Sequence, residues 1–383
     1  PHKLNQARCS QAVCETARMH VAAGASHSLV RGKLGEVYAW GSNSHGQLGD
    51  GSTQDSLRPK KIISEGIRAL AAGRRHSLAV SDSGEVLAWG SNEGGLLGTG
   101  FTSKQLLPAK VIAEGARAVA AGESHSLALT ESGEVFAWGE NRYGQLGDGS
   151  TSARRQPVRV GLSAKVCHIA AGWHHSLAVS VLGEVFAWGF NTPDRTPPGF
   201  RPASVPTMVI GSGIRSVAAG GVHSLALTDA GTIVVWGGND HGQLGDGTTE
   251  RRTWPVPLPG SWPPFIRVAA GSYQSLAITD DSEVFFWGSS MTGPRLLPAG
   301  VHFEDGGFAA AGGGVHSVVV GADGAVLAWG GNTYGQVGDG STVDRDSPKQ
   351  ALGPNVVEIK TREMILAELL AGPAEVEDVA AKS

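Results

Sequence analysis

Apolar and polar positions along the chain repeat one short layout. Leu78-Ala79-Val80 and Glu85-Val86-Leu87-Ala88-Trp89 are brief runs rich in strand-forming residues, separated by the polar stretch Ser81-Asp82-Ser83-Gly84, which reads as a hairpin turn. The layout returns around Glu131-Ser132-Gly133. Downstream, Gly144-Gln145-Leu146-Gly147-Asp148-Gly149 carries glycines where a tight loop needs positive φ. Pro157-Val158-Arg159-Val160 and Val166-Cys167-His168-Ile169 then open two further strands. Helical periodicity is missing between these segments, so the pattern predicts four short strands per unit of ~50 residues.

The phase of the repeat never slips. Tryptophan precedes glycine at Trp40, Trp89, Trp138, Trp188, Trp236, Trp287 and Trp329, at intervals of 49, 49, 50, 48, 51 and 42 residues. Thirteen residues before each stands His27, His76, His125, His175, His223, Gln274 or His316, always followed by serine. A proline follows the tryptophan after nineteen residues at Pro59, Pro108, Pro157, Pro255 and Pro348, with Pro206 one residue early and the sixth unit shortened. Length changes are therefore confined to one loop region. Seven four-stranded units without distinct capping units predict an all-β fold, a seven-bladed β-propeller closed into a ring instead of a linear solenoid.

The propeller is expected over residues 19–361, with an N-terminal segment at 1–18 and a helical tail at 362–383. In the tail, Met364, Ile365, Leu366, Leu369 and Leu370 give one apolar side to a short C-terminal helix that Gly372-Pro373 ends. It serves either the propeller's own flank or a partner; if a partner, deletion of 362–383 leaves the thermal unfolding unchanged. Val356, Val357 and Ile359 follow Pro348 at the spacing at which Ile67 and Leu70 follow Pro59, so they are expected to form the last strand of blade seven. That slot also fits Met19 and Val21, and one slot cannot hold two strands.

Composition narrows the function. Charged residues make up 17% and the formal net charge is −4, so no basic field holds nucleic acid or an anionic membrane. Nucleic-acid partners and direct membrane insertion are not expected. No apolar run reaches the ~18 residues of a membrane span. The start at Pro1-His2-Lys3-Leu4 has neither an initiator Met nor a signal-peptide core, which suggests a soluble chain that is trimmed or processed. Cys9, Cys14 and Cys167 are too few for a disulfide framework, and the first two lack the second ligand pair of a zinc site. No metal is expected, and a reducing intracellular compartment, cytoplasmic or organellar, is.

Three segments carry a family likeness. Val21-Ala22-Ala23-Gly24-x-x-His27-Ser28-Leu29, Ala39-Trp40-Gly41-x-Asn43 and Gly46-Gln47-Leu48-Gly49-Asp50-Gly51 resemble the regulator of chromosome condensation repeat, and the likeness recurs along about residues 18–350. The resemblance implies a seven-bladed propeller, in agreement with the independent count. Phe190-Asn191-Thr192-Pro193 and Ser289-Ser290-Met291-Thr292 replace the Gly-Gln-Leu-Gly loop in units four and six, where altered blade edges are expected. The permutation, entering at Ala23-Gly24-Ala25-Ser26-His27-Ser28, is similar to that of the plant ultraviolet-B photoreceptor branch.

The founding activity that the resemblance implies is guanine-nucleotide exchange on a small GTPase, through a protruding β-wedge and acidic residues on one face. No unit holds an insertion long enough for a wedge, and the first eighteen residues lack a concentrated Lys/Arg tail. The photoreceptor branch implies several Gly-Trp-Arg-His-type motifs in neighbouring blades. Only Gly172-Trp173-His174-His175 approximates one, its counterparts carrying Val222, Tyr273 and Val315.

Six histidines and Gln274 at one repeat position invite metal or acid–base chemistry. The fixed position and the glutamine, a poor metal ligand, favour a structural role in which the side chains satisfy backbone groups where inner strands meet. The seven repeat tryptophans are expected as inter-blade core, each burying ~150–250 Å². Nucleophile elbow, phosphate-binding loop and zinc-protease motif are all missing, so neither catalysis nor a cofactor is expected.

What varies is the pair inside each Gly-x-x-His-Ser motif: Ala25-Ser26, Arg74-Arg75, Glu123-Ser124, Trp173-His174, Gly221-Val222, Ser272-Tyr273 and Gly314-Val315. In a closed ring these connections should line one face around the central opening. Arg74, Arg75, Glu123, Trp173, His174 and Tyr273 form the candidate partner-binding face, because Arg, Trp and Tyr are enriched at interface hot spots. The competing role for Trp173 and Tyr273 is to plug the channel. The expected function is a non-catalytic, protein-binding propeller that acts as a scaffold or subunit of a larger assembly. A guanine-nucleotide exchange factor for a small GTPase is the alternative, and an ultraviolet-B photosensor the third reading.

Overall fold

A computed structural model describes residues 21–190, 203–304 and 306–357. These residues form seven antiparallel sheets of four strands each, every sheet a continuous meander. Blade one runs Val21–Ala23, His27–Arg31, Val37–Gly41, Ser56–Ile63, and blade seven runs Gly307–Gly312, His316–Gly321, Val326–Gly330, Arg345–Leu352, numbered outward from the axis. The all-β propeller follows from the repeat as expected.

The hairpin explains the constant thirteen-residue interval. In blade two, His76 faces Gly90, Ser77 faces Trp89 and Leu78 faces Ala88. An insertion in this hairpin would slip every side chain to the opposite face. Second strands such as His76–Ser81 are covered on both sides by neighbouring blades and are buried almost throughout, whereas outermost strands such as Ser56–Ile63 are half-exposed. Apolar residues of neighbouring blades meet in shared cores: Trp138 of blade three is fully buried among Leu78, Val80, Ala88 and Leu97 of blade two.

Closure departs from the expectation. The last strand of blade seven is Arg345–Leu352, and the inner slot of blade one is paired by Val21–Ala23, which face Val30, Leu29 and Ser28. Val356 and Val357 occupy the entry end of that same slot. Val357 N–H donates to Gly324 O at 3.2 Å, as Ile67 N–H donates to Gly35 O in the next seam, and Lys33 N–H donates to Val356 O at 3.1 Å. Val357 is buried beside Val21 and Val30. Two chain segments thus share one strand position end to end, which a slot longer than three residues permits. Met19, Ile359, the segment 1–18 and the predicted helix within 362–383 lie outside the described residues.

Candidate functional site

The histidine ring is a set of seams between blades. Histidine Nε2 of one blade meets the serine Oγ of the next at His27–Ser77, His76–Ser126, His125–Ser176, His175–Ser224, His223–Ser275 and His316–Ser28, at 2.8–3.0 Å. Ser77 Oγ donates onward to Gln47 O at 2.8 Å, and Trp89 Nε1 donates to the same carbonyl at 2.9 Å. A serine that donates to a carbonyl must accept from histidine, so Nε2 carries a proton. Burial keeps the imidazole neutral, holding His27, His125, His175 and His223 down at about 3 and His76 and His316 at about 4.

The expected partners of these histidines are thereby corrected. A serine hydroxyl, not a backbone group, takes Nε2, because the next blade's serine faces across the seam. Gln274 alone follows the expectation, donating to Gly313 O and His316 O at 3.1 and 3.0 Å. Glycine precedes each seam for lack of space: a Cβ on Gly73 would stand 2.3 Å from the His76 ring and 2.5 Å from Gly122 O. Trp40, Trp138, Trp188 and Trp287 repeat the Trp89 bond to the preceding loop, and all are fully buried. Trp236 and Trp329 are buried too. Among the described residues no group of three His, Cys, Asp or Glu is placed to hold a metal ion.

Above the seams, the varied residues form a second ring. The first member of each pair donates its N–H to a glycine carbonyl of the next blade: Ala25 to Gly73, Arg74 to Gly122, Glu123 to Gly172, Trp173 to Gly221, Gly221 to Gly271, Ser272 to Gly313 and Gly314 to Gly24, at 2.9–3.3 Å. These seven residues surround the channel mouth, a cavity of 410 Å³. Three second members, Arg75, His174 and Tyr273, lie against the preceding blade's long loop. The His174 ring lies 4.8 Å from Tyr143, and Tyr273 lies 4.5 Å from His241. Burial, then the Arg75 cation, lowers the pKa of His45 in blade one's long loop.

The mouth is chemically uneven. Arg74 is ion-paired with Glu123, whose other oxygen lies 3.6 Å from His174 Nε2. Burial lowers the His174 pKa, although Glu123 opposes it. Trp173 lies against Gly221, where a Cβ would come within 2.8 Å of the indole, and meets Tyr273 edge-on at 5.2 Å. Both aromatics are half-buried. Blades two to four therefore present charge and imidazole, while blades four and six present an aromatic pair. The altered edge expected at unit six is a cleft between blades six and seven, lined by Ser289, Ser290, Met291 and Thr292 among others; sequence reasoning did not foresee its opening onto Trp329.

Comparison with known proteins agrees with this geometry. The RCC1-like domain model matches residues 5–196, just over half of the chain, and the regulator of chromosome condensation (RCC1) repeat matches residues 214–243, 230–278 and 323–362. The solved structure of Prp20p from Saccharomyces cerevisiae, which has binding properties to Gsp1p and histones, superposes with a TM-score of 0.71. It is 26% identical and covers 83% of this chain and 86% of its own. The probable E3 ubiquitin-protein ligase HERC4 of Homo sapiens is 37% identical over 98 residues, 22% of this chain and 9% of that protein. The ultraviolet-B receptor UVR8 of Arabidopsis thaliana is 55% identical over 49 residues, 12% of this chain and 11% of that protein. The matched stretches thus span about a tenth of these two relatives. With seven blades, seven seams and repeat matches along most of its length, the chain belongs to the RCC1-like domain family of regulator of chromosome condensation repeat propellers.

Proposed function

We propose that this chain is a protein-binding propeller that serves as a scaffold or subunit of a larger assembly, without catalysis or a cofactor, and that its partner docks on the channel mouth. The observation that carries the reading is the mouth itself, where fold-invariant glycines hold Arg74, Glu123, Trp173 and Ser272 around one opening. A rigid ring displaying non-repeated side chains can write specificity without disturbing the fold. Trp173 and Arg74 supply an aromatic anchor and a cation, the types that dominate interface energetics.

Purification from native cells identifies the partner, and calorimetry then measures it. Trp173→Ala and the Arg74→Ala/Arg75→Ala double variant should each weaken binding by ~2 kcal/mol or more with a nearly unchanged melting temperature. Equal binding by the wild type and both variants discards the mouth as the site.

A second reading, guanine-nucleotide exchange on a small GTPase, draws support from the 26% identity to Prp20p, a protein that binds Gsp1p. Nucleotide release from candidate GTPases separates it from the scaffold reading.

A further inference from the structure

Five seams of the ring are sealed by the long loop that joins a blade's third and fourth strands. In blade one this loop buries Leu48 between blades one and two, and its Gln47 carbonyl accepts from both Ser77 and Trp89. Two residues after the leucine, Asp50 pairs with Lys60 of the outermost strand at 2.6 Å. The arrangement recurs with Leu146 and Asp148–Arg154, Leu244 and Asp246–Arg252, and Val337 and Asp339–Arg345. Blade two keeps the carbonyl and the apolar residue through Leu96 and Leu97.

Blade six lacks the loop. Its third strand ends at Gly288 and its fourth begins at Arg295, joined only by the turn Ser289–Pro294. The seam to blade seven is left as an open cleft of 430 Å³ lined by Trp329, Ser317, Phe286, Met291 and Arg295, among others. Phe286 stands where five other blades have alanine and, with Phe303, packs against Trp329, so the deep end is filled and the outer end is not. Among the described residues, neither Trp329 Nε1 nor Ser317 Oγ has the carbonyl that its counterparts reach. Arg295, the counterpart of Arg252 and Arg345 opposite the last glycine of the third strand, lies over the Phe286 ring at 5.8 Å with no ion pair among the described residues. Met291 and Val315 are exposed at the cleft's edge.

We propose that this cleft is a docking site for a glycine-containing loop of a partner protein that takes the place of the missing one. The sealed seams define what the segment must offer: in all five a main-chain carbonyl, here for Trp329 and Ser317, with a leucine or valine immediately after it, and in four of them a carboxylate two residues further on, here for Arg295. The cleft opens on the same side of the ring as the channel mouth but farther out and adjoins it at Tyr273 and Gly314; Arg74 of blade two does not line it, so the two readings can fail separately.

The test uses the full chain and the capped peptide Gly-Gln-Leu-Gly-Asp-Gly, read by NMR at the indole N–H of Trp329. Saturable binding is expected, with a downfield shift of that one indole. Trp329→Phe, which keeps the packing and removes the donor, and Arg295→Gln should each weaken binding about fivefold, the effect of one hydrogen bond or one partly exposed ion pair. Peptides with Leu→Ser or Asp→Asn should lose a similar factor, while the Arg74→Ala/Arg75→Ala double variant should change nothing. No saturable binding, or equal affinity for Trp329→Phe, overturns the proposal. Binding that appears only after deletion of residues 362–383 assigns the cleft to the chain's own tail, and self-association abolished by Trp329→Phe assigns it to a second copy; either result overturns the partner assignment.

Discussion

Acidification should unfold this propeller through its histidine seams before any carboxylate contributes. His27, His76, His125, His175, His223 and His316 are enclosed between blades, and burial holds them at about 3 or 4 against an ordinary 6.5. Because the folded value lies below the unfolded one, the unfolded chain binds more protons between these limits. The stabilisation is therefore complete above pH 6.5 and is lost as pH falls toward 4. Moving from pH 7 to pH 5 costs about 2 kcal/mol for each histidine. Six together cost on the order of 10 kcal/mol, as much as the whole stability of an ordinary domain.

The fold is thus expected to reach pH 5 much weakened and to unfold below it. Asp50 does not act in this window: burial pushes its carboxyl up, but hydrogen bonds from Lys60, Ser52 and Asn43 outweigh that and hold it at about 2. The assay is urea unfolding followed by far-ultraviolet circular dichroism at pH 7 and pH 5, for wild type and His125→Gln. Gln274 already stands at this repeat position, so the ring tolerates the substitution. The variant should be less stable at pH 7 by about 1 kcal/mol, through loss of the Ser176 bond. It should lose about 2 kcal/mol less than wild type on going to pH 5. An identical pH dependence in the two proteins would refute the assignment of acid sensitivity to the seams.

Glycine positions separate crowding from backbone conformation. Gly122→Ala puts a methyl 2.4 Å from Gly172 O and 2.5 Å from the His125 ring, and should destabilise by about 3 kcal/mol in denaturant titrations. Gly115→Ala meets nothing within 4 Å at a φ of +80°, and should cost only about 1 kcal/mol. Trp89→Phe removes the donor to Gln47 O and should lower stability by about 1 kcal/mol. Trp329→Phe loses no such bond and should destabilise by about 1 kcal/mol less than Trp89→Phe does.

Most of this fold is legible in the repeat alone. A constant thirteen residues from histidine to tryptophan is the length of a hairpin in which His76 faces Gly90 and Ser77 faces Trp89, and that register tolerates no insertion. The count of seven, the four strands per blade and the looser third-to-fourth connection follow from the same periodicity. Local composition was equally informative at Gly-Gln-Leu-Gly, where Gly49 takes a φ of 80° and leaves room for the Trp89 indole.

Tertiary structure alone decided what lies between blades, because those contacts join residues about fifty positions apart that no local pattern relates. It gave each histidine a serine partner across the seam, as in His76 to Ser126. It divided the Trp173-His174 pair between the mouth and the neighbouring loop, sending Trp173 inward and His174 toward Tyr143. It also closed the ring with two segments in one slot, since Val357 and Val21 are equally apolar in sequence and only their positions along that slot tell them apart. Periodicity, set by the backbone's own geometry, is written in the sequence; the pairing of distant surfaces depends on the ring closing, and appears only once it has.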